Sequence, residues 1–301
     1  MKIAIIGSRQ IAQTVAWGIS HTELAQKIVI YSDSQFEGKR INRNYRTTDI
    51  RDIILAGATS NSDTDITITD SPDKLSKSDI VLLLPAEQPV GYRSNQGLKK
   101  LNLSIIQHVI PTIHEYISNS KILVGMQNAN YISAWIHHSI GSNNVIGISN
   151  GIATAQLKAT IANKLRLSVK DISALAIGND SITYPLPQYC RVNGIPLSQL
   201  LDETRVKDIS NSLSDFNDNQ LDSIYTLTSH ILEIVSAIAL DKKRVMSVGT
   251  LISTDSTSVF INVPSKIGGD GIEGIIPLEL TDTQREQFTQ LVAQSATDQS
   301  F

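Results

Sequence analysis

Met1-Lys-Ile-Ala-Ile-Ile-Gly7-Ser-Arg-Gln-Ile-Ala12 decides how the rest of this chain is read. The β-prone, mostly apolar run from Lys2 to Ile6 predicts a buried strand, Gly7 closes it, and residues 10–19 carry helical periodicity. Strand, tight turn and helix in this order are the start of a βαβ unit. In dinucleotide-binding versions the turn reads G-x-G-x-x-G, because only glycine lets the backbone approach a pyrophosphate and the helix pack closely on the strand. Here Gly7 alone survives, followed by Ser8, Arg9, Gln10, Ile11 and Ala12. Gly7, Arg9, Gln10 and Ile11 are therefore the candidate cofactor-contacting positions. Arg9 either pairs with a phosphate or fills its place, and obstruction is the expected outcome. Asp33, just after the second β-rich run, stands near where an acid would bond an adenosine ribose, or caps a turn.

Outward from this unit, β-rich runs recur at 27–31, 65–69, 80–84, 121–125 and 145–148, several of them separated by helix-length segments. Residues 105–117 have helical periodicity, and 60–65 and 141–144 have turn composition. The alternation predicts an α/β fold opening on a Rossmann-type, doubly wound parallel sheet over residues 1–143. Residues 144–301 change character to mixed α+β. A helix over 154–165 leads into 169–177, a Pro-rich turn Tyr184-Pro-Leu-Pro187, and a hairpin Arg191-Val-Asn-Gly-Ile195 with Asn-Gly at its tip. A long helix over 221–240, β-rich runs at 245–250 and 259–263, and a closing helix from Asp282 complete the chain. The last residues, Ser295-Ala-Thr-Asp-Gln-Ser-Phe301, are expected to fray.

Composition narrows the function classes. With 26 basic and 29 acidic residues among 301, the net charge is −3, and no basic cluster alternates with aromatics, so nucleic acid is not an expected partner. No apolar run approaches membrane-spanning length, and a strand starting at Lys2 leaves no expected room for a secretory leader, so a cytoplasmic protein without membrane contact is expected. The single cysteine, Cys190, has no Cys/His neighbours at ligand spacing; it is expected to fill core, and no metal site is expected.

Ser168-Val-Lys-Asp-Ile-Ser-Ala-Leu175, Pro185-Leu-Pro-Gln-Tyr189, Val192-Asn-Gly-Ile-Pro-Leu-Ser198, Asp241-Lys-Lys-Arg-Val245 and Val259-Phe-Ile-Asn-Val-Pro264, in this order, resemble the lactate/malate dehydrogenase family, and the likeness runs over nearly the whole chain. The resemblance implies a Rossmann domain followed by a lactate/malate dehydrogenase-like substrate and oligomerisation domain. It also implies NAD as a possible cofactor, a small carboxylate as ligand, and a homo-oligomer, dimer or tetramer.

Chemistry in that family needs a histidine to take the hydroxyl proton, an aspartate to orient it and an arginine to grip the substrate carboxylate. The histidine lies in a Gly-Gly-His-Gly stretch before Val-Pro; the corresponding run is Gly178-Asn-Asp-Ser-Ile-Thr-Tyr-Pro185, so Asn179 or Asp180 takes its place. Neither replaces imidazole, since an amide does not titrate and a carboxylate is too weak a base near neutrality. The aspartate and arginine follow a Gly-Val-Leu-like lead as Asp-x-x-Arg-x-Arg; against Gly151-Ile-Ala-Thr-Ala-Gln-Leu-Lys158, Ala153 is read at the aspartate and Lys158 at the arginine. Lysine is a point charge without the planar fork, and Lys158 reads equally well as a solvated helix residue. Pro89-Val-Gly-Tyr-Arg93 resembles the mobile loop and puts Arg93 at a substrate-binding arginine, whereas Glu87 reverses the charge of the carbonyl-polarising one. Gln127 or Asn128 stands for the asparagine after the fifth strand. Ser223, Thr226 and His230 recur at helical spacing on the helix that lines the family's substrate pocket, making His230 a displaced base or, more simply, a polar residue on a packed helix.

Three readings follow. The first is a degenerate family member without normal dehydrogenase catalysis, serving as a binding, regulatory or partner subunit, either self-associated or paired with an intact paralogue. The second is an active NAD-dependent 2-hydroxy acid oxidoreductase with a rewired site. The third is a small-molecule sensor.

Overall fold

The computed structural model describes residues 1–32, 47–84, 95–149, 151–211, 224–254 and 257–301. The first half alternates as β1 (Lys2–Ile6), α1 (Arg9–His21), β2 (Lys27–Tyr31), α2 (Thr47–Thr59), β3 (Asp65–Thr69), β4 (Ile80–Leu83), α3 (Asn95–Ile117), β5 (Lys121–Val124), α4 (Ala129–Ile140) and β6 (Val145–Gly147). These six strands lie in the order β3-β2-β1-β4-β5-β6, all parallel. The order is that of a Rossmann sheet.

Its strands are apolar on both faces because both faces are covered. Ile3 and Ile5 point into one layer with Ile11, Val15 and Ile19 of α1, while Ala4 and Ile6 point into the other with Val109 and Ile113 of α3 and Ile132 and Ile136 of α4. The period-2 alternation of a strand thus meets two helical stripes. Helices α2 and α4 carry no reading in the sequence analysis. The apolar residues of α2 pack on one edge only, leaving Ile54 and Leu55 exposed, which weakens its stripe.

The second half runs α5 (Gly151–Leu165), β7 (Ile172–Ser173), β8 (Ala176–Gly178), β9 (Thr183–Pro185), β10 (Arg191–Val192), β11 (Ile195–Pro196), α6 (Leu197–Leu200), α7 (Glu203–Asn211), α8 (Ile224–Ala239), β12 (Arg244–Ser253), β13 (Ser258–Gly268), β14 (Gly271–Ile275) and α9 (Asp282–Asp298). The expected Asn-Gly hairpin is β10–β11, with Asn193 and Gly194 both at positive φ. The sheet continues without a break: β12 pairs antiparallel with β6 through Gly249 and Gly147, and β13, β8 and β9 follow, with β14 on β13. Helix α8 returns to the first half and packs on α1.

The expected fraying of residues 295–301 is overturned. Helix α9 opens with a full capping box at Thr281 and Gln284 and runs to Asp298. Beyond it the Gln299 side chain accepts from the Phe260 N–H and donates to the Phe260 carbonyl, each at 2.8 Å. The polar composition of this tail hid a tether to the backbone of β13. No helix among the described residues is long and apolar enough to cross a membrane.

Candidate functional site

The turn between β1 and α1 is built for packing. A Cβ on Gly7 would stand 2.6 Å from the Leu84 Cβ, so glycine is required here by the end of β4, whatever binds the turn. Ser8 is the N-cap of α1 without a side-chain bond, Ile11 and Ala12 are buried in the core at 1% and 0% exposure, and Gln10 is exposed. Ala12 therefore fits the helix–strand contact that the third glycine of the fingerprint serves. Arg9 begins α1, and its side chain lies outside the described atoms, as do residue Asp33, the loop residues Glu87 and Arg93, and Ser223. Gly7 is the one glycine in this turn, and its close approach to Leu84 accounts for it.

After β5, Gln127 and Asn128 lead into α4. Asn128 sits at the N-cap of the helix in the left-handed region at φ 59°, its side chain making no capping bond, and the Gln127 carbonyl accepts from Asn102 Nδ2 at 3.2 Å. The missing cap comes from far along the chain. Asp180 Oδ1 accepts the Asn130 N–H at 3.0 Å and Oδ2 accepts the Tyr131 N–H at 2.9 Å. Burial pushes the Asp180 carboxyl up to about 6, against these two bonds and Lys99, which favour the charged form, and with Asp298, which opposes it. Asn179 is equally occupied: Oδ1 accepts from the Ser181 and Ile182 N–H groups at 2.9 and 2.8 Å, and Nδ2 donates to Ser295 Oγ at 3.1 Å. Gly178 holds the turn closed, since a Cβ there would lie 2.2 Å from the Ile182 carbonyl oxygen.

Helices α5 and α8 meet at Gly151. A Cβ on that residue would fall 2.0 Å from His230 Nε2, so the imidazole lies flat against the first turn of α5. His230 Nε2 is buried without a hydrogen-bond partner, and burial pushes its pKa down to about 4, leaving the ring neutral at physiological pH. Ala153 is buried, Lys158 is half-buried, and Thr226 is half-buried on α8. The sequence reading passed over Thr154, whose Oγ1 is buried and unpartnered. The signal was present: a three-residue lead Gly151-Ile-Ala153 puts the next position, Thr154, where the family's acid would stand, and Leu157, 1% exposed, at the arginine. In either register no carboxylate occupies the place. Cys190 is the core residue expected, 1% exposed, with its thiol pushed up by burial.

No family model matches the chain. Malate dehydrogenase of Pelodictyon phaeoclathratiforme is 28% identical over 307 residues, covering 97% of this chain and 96% of that protein, and malate dehydrogenase of Halalkalibacterium halodurans is 26% identical over 302 residues, covering 97% and 94%. Over nearly its whole length the chain is similar to lactate/malate dehydrogenases. Solved structures share its fold: malate dehydrogenase from Salinibacter ruber superposes with a TM-score of 0.81 at 24% identity over 99% of this chain and 96% of that one. Lactate dehydrogenase from Cryptosporidium parvum, complexed with lactic acid and nicotinamide adenine dinucleotide, gives 0.85 at 21% identity with the same coverage. The fold of these enzymes is thus shared from end to end.

Proposed function

We propose that this protein keeps the lactate/malate dehydrogenase scaffold without its hydride-transfer chemistry and acts as a binding or partner subunit. One observation carries the reading: both oxygens of Asp180, in the segment that should supply the catalytic histidine, accept backbone N–H groups of α4. A carboxylate that closes a helix terminus is held away from a substrate hydroxyl, and a base must first meet geometry. The other candidates fail on the same ground. Asn179 does not titrate, and His230 is wedged against Gly151 as a neutral ring of low basicity. Ala153 and Thr154 offer no acid to orient an imidazolium. Loss of one member of a cooperative catalytic unit costs on the order of 10⁴-fold or more in rate, and here several are replaced. The relatives suggest NAD as the cofactor; the turn at Gly7 and Arg9 argues against tight binding. The same reading takes the protein as a cytoplasmic oligomer, of itself or with an intact paralogue.

A second reading, an active enzyme with a rewired site, draws on the Asp180 carboxyl near 6, a value suited to proton transfer. Stopped-time assays of NADH oxidation with oxaloacetate and with pyruvate separate the two. The first reading expects none above background at micromolar protein; turnover that disappears in Asp180→Asn would establish the second. Saturable binding of a small carboxylate without turnover would make the subunit a sensor.

A further inference from the structure

A cavity of about 460 Å³ opens between α3, α4, the turn after β8 and the end of α9, large enough for a small metabolite. Its walls include Lys99, Lys100, Asn128, Tyr131, Ser181 and Asp298. The polar lining carries two ammonium groups, the two carboxamides of Gln96 and Asn128, a hydroxyl, and a phenol that burial and Asp298 keep protonated. Against them stands one carboxylate in the wall, Asp298, since Asp180 behind it is turned into the amides of α4.

Lys99 is held ready. Its Nζ lies 3.7 Å from the centroid of the Tyr131 ring and forms an ion pair with Asp298, whose side chain is 54% exposed. Asp298 is the last residue of α9, and the segment around it is a strap. Ser295 accepts from Asn179, Gln299 grips the Phe260 backbone, and the Phe301 ring lies 5.0 Å from Tyr131 and 6.2 Å from His138. The Lys99–Asp298 pair is the charged link of that strap to α3.

We propose that this cavity binds a small dianion, a dicarboxylate or a tetrahedral phosphate-type group, which takes Lys99 from Asp298 and loosens the C-terminal strap from α3 and α4. The Asp298 end of the pair is open to water, where a single ion pair is weak, so a ligand that engages Lys99 and Lys100 together outcompetes it. The Ser181 hydroxyl, in the same lining, adds a neutral donor. The test of this site does not involve turnover.

The full chain is titrated at pH 7.5 and constant ionic strength with succinate and, separately, with sulfate, while hydrogen exchange is followed in a peptide covering residues 295–301. At least one probe is expected to accelerate exchange there saturably in the millimolar range. Lys100→Ala, at an exposed position, should weaken that response about tenfold or more, and Asp298→Asn should exchange rapidly before any probe is added. A response to succinate alone assigns a dicarboxylate, and to sulfate alone a phosphate-type ligand. Unchanged or slowed exchange with both probes, or an undiminished response in Lys100→Ala, overturns the proposal.

Discussion

Asp180 and His230 are both partly buried titratable residues, and desolvation moves them in opposite directions for the same reason, by disfavouring the charged form. The folded pKa of Asp180, about 6, lies above its ordinary 3.8, so folding favours the protonated form. The stability this group contributes is fully present below pH 3.8 and is lost as pH rises through about 6, on the order of 3 kcal/mol for such a shift. Thermal unfolding of the wild type and of Asp180→Asn, measured from pH 4 to 7.5, should therefore diverge, with the wild type losing ground as pH rises. Parallel profiles would show that the carboxylate is not buried as described. His230 makes a separate prediction. Gly151→Ala drives a methyl into the ring and should cost roughly 1–3 kcal/mol by denaturant unfolding, most of it recovered in the double variant with His230→Ala. Additive costs would place the ring elsewhere.

At the scale of elements, glycines mark where pieces must approach. β6 and β12 join the parallel to the antiparallel part of the sheet through Gly147 and Gly249, over which the fully buried Asn130 side chain of α4 lies. A Cβ on Gly249 would stand 2.2 Å from Asn130 Oδ1 and 2.8 Å from the Gly147 Cα. Gly249→Ala should destabilise the fold by about 1–3 kcal/mol or more, and Asn130→Ala should relieve only part of it, because the second contact is backbone. Full relief, read from chemical denaturation midpoints, would contradict this account of the junction. Gly7 behaves alike: Gly7→Ala should lower stability through Leu84 in the absence of any nucleotide, and a variant as stable as the wild type would return that glycine to a cofactor role. Strands and helices with strong periodicity were legible in the sequence, as were the Asn193-Gly194 turn and the start of α9 at Asp282. The tether at Gln299 and the cap on α4 were not, because each joins residues far apart in sequence, 39 and about 50 positions, and neither has a local pattern.

Across the whole molecule, one sheet carries both halves, and the fold superposes on solved malate and lactate dehydrogenases over 99% of the chain. Fold was legible because it rests on many apolar positions, each tolerant of exchange; the site was only half legible, since sequence can nominate residues for the family's positions but not say what their side chains touch. Whether Asp180 was a substitute base or a structural group depended on where α4 begins, a fact of three-dimensional packing. The central claim is that these neighbours have been taken into the structure and no longer act on a substrate. Its most direct test is a titration of the purified protein with NADH, followed by fluorescence, with oxaloacetate and pyruvate then added to the same samples. The account predicts no oxidation of NADH with either acid and no saturable binding in the micromolar range. Tight binding followed by turnover that Asp180→Asn or His230→Ala abolishes would contradict it.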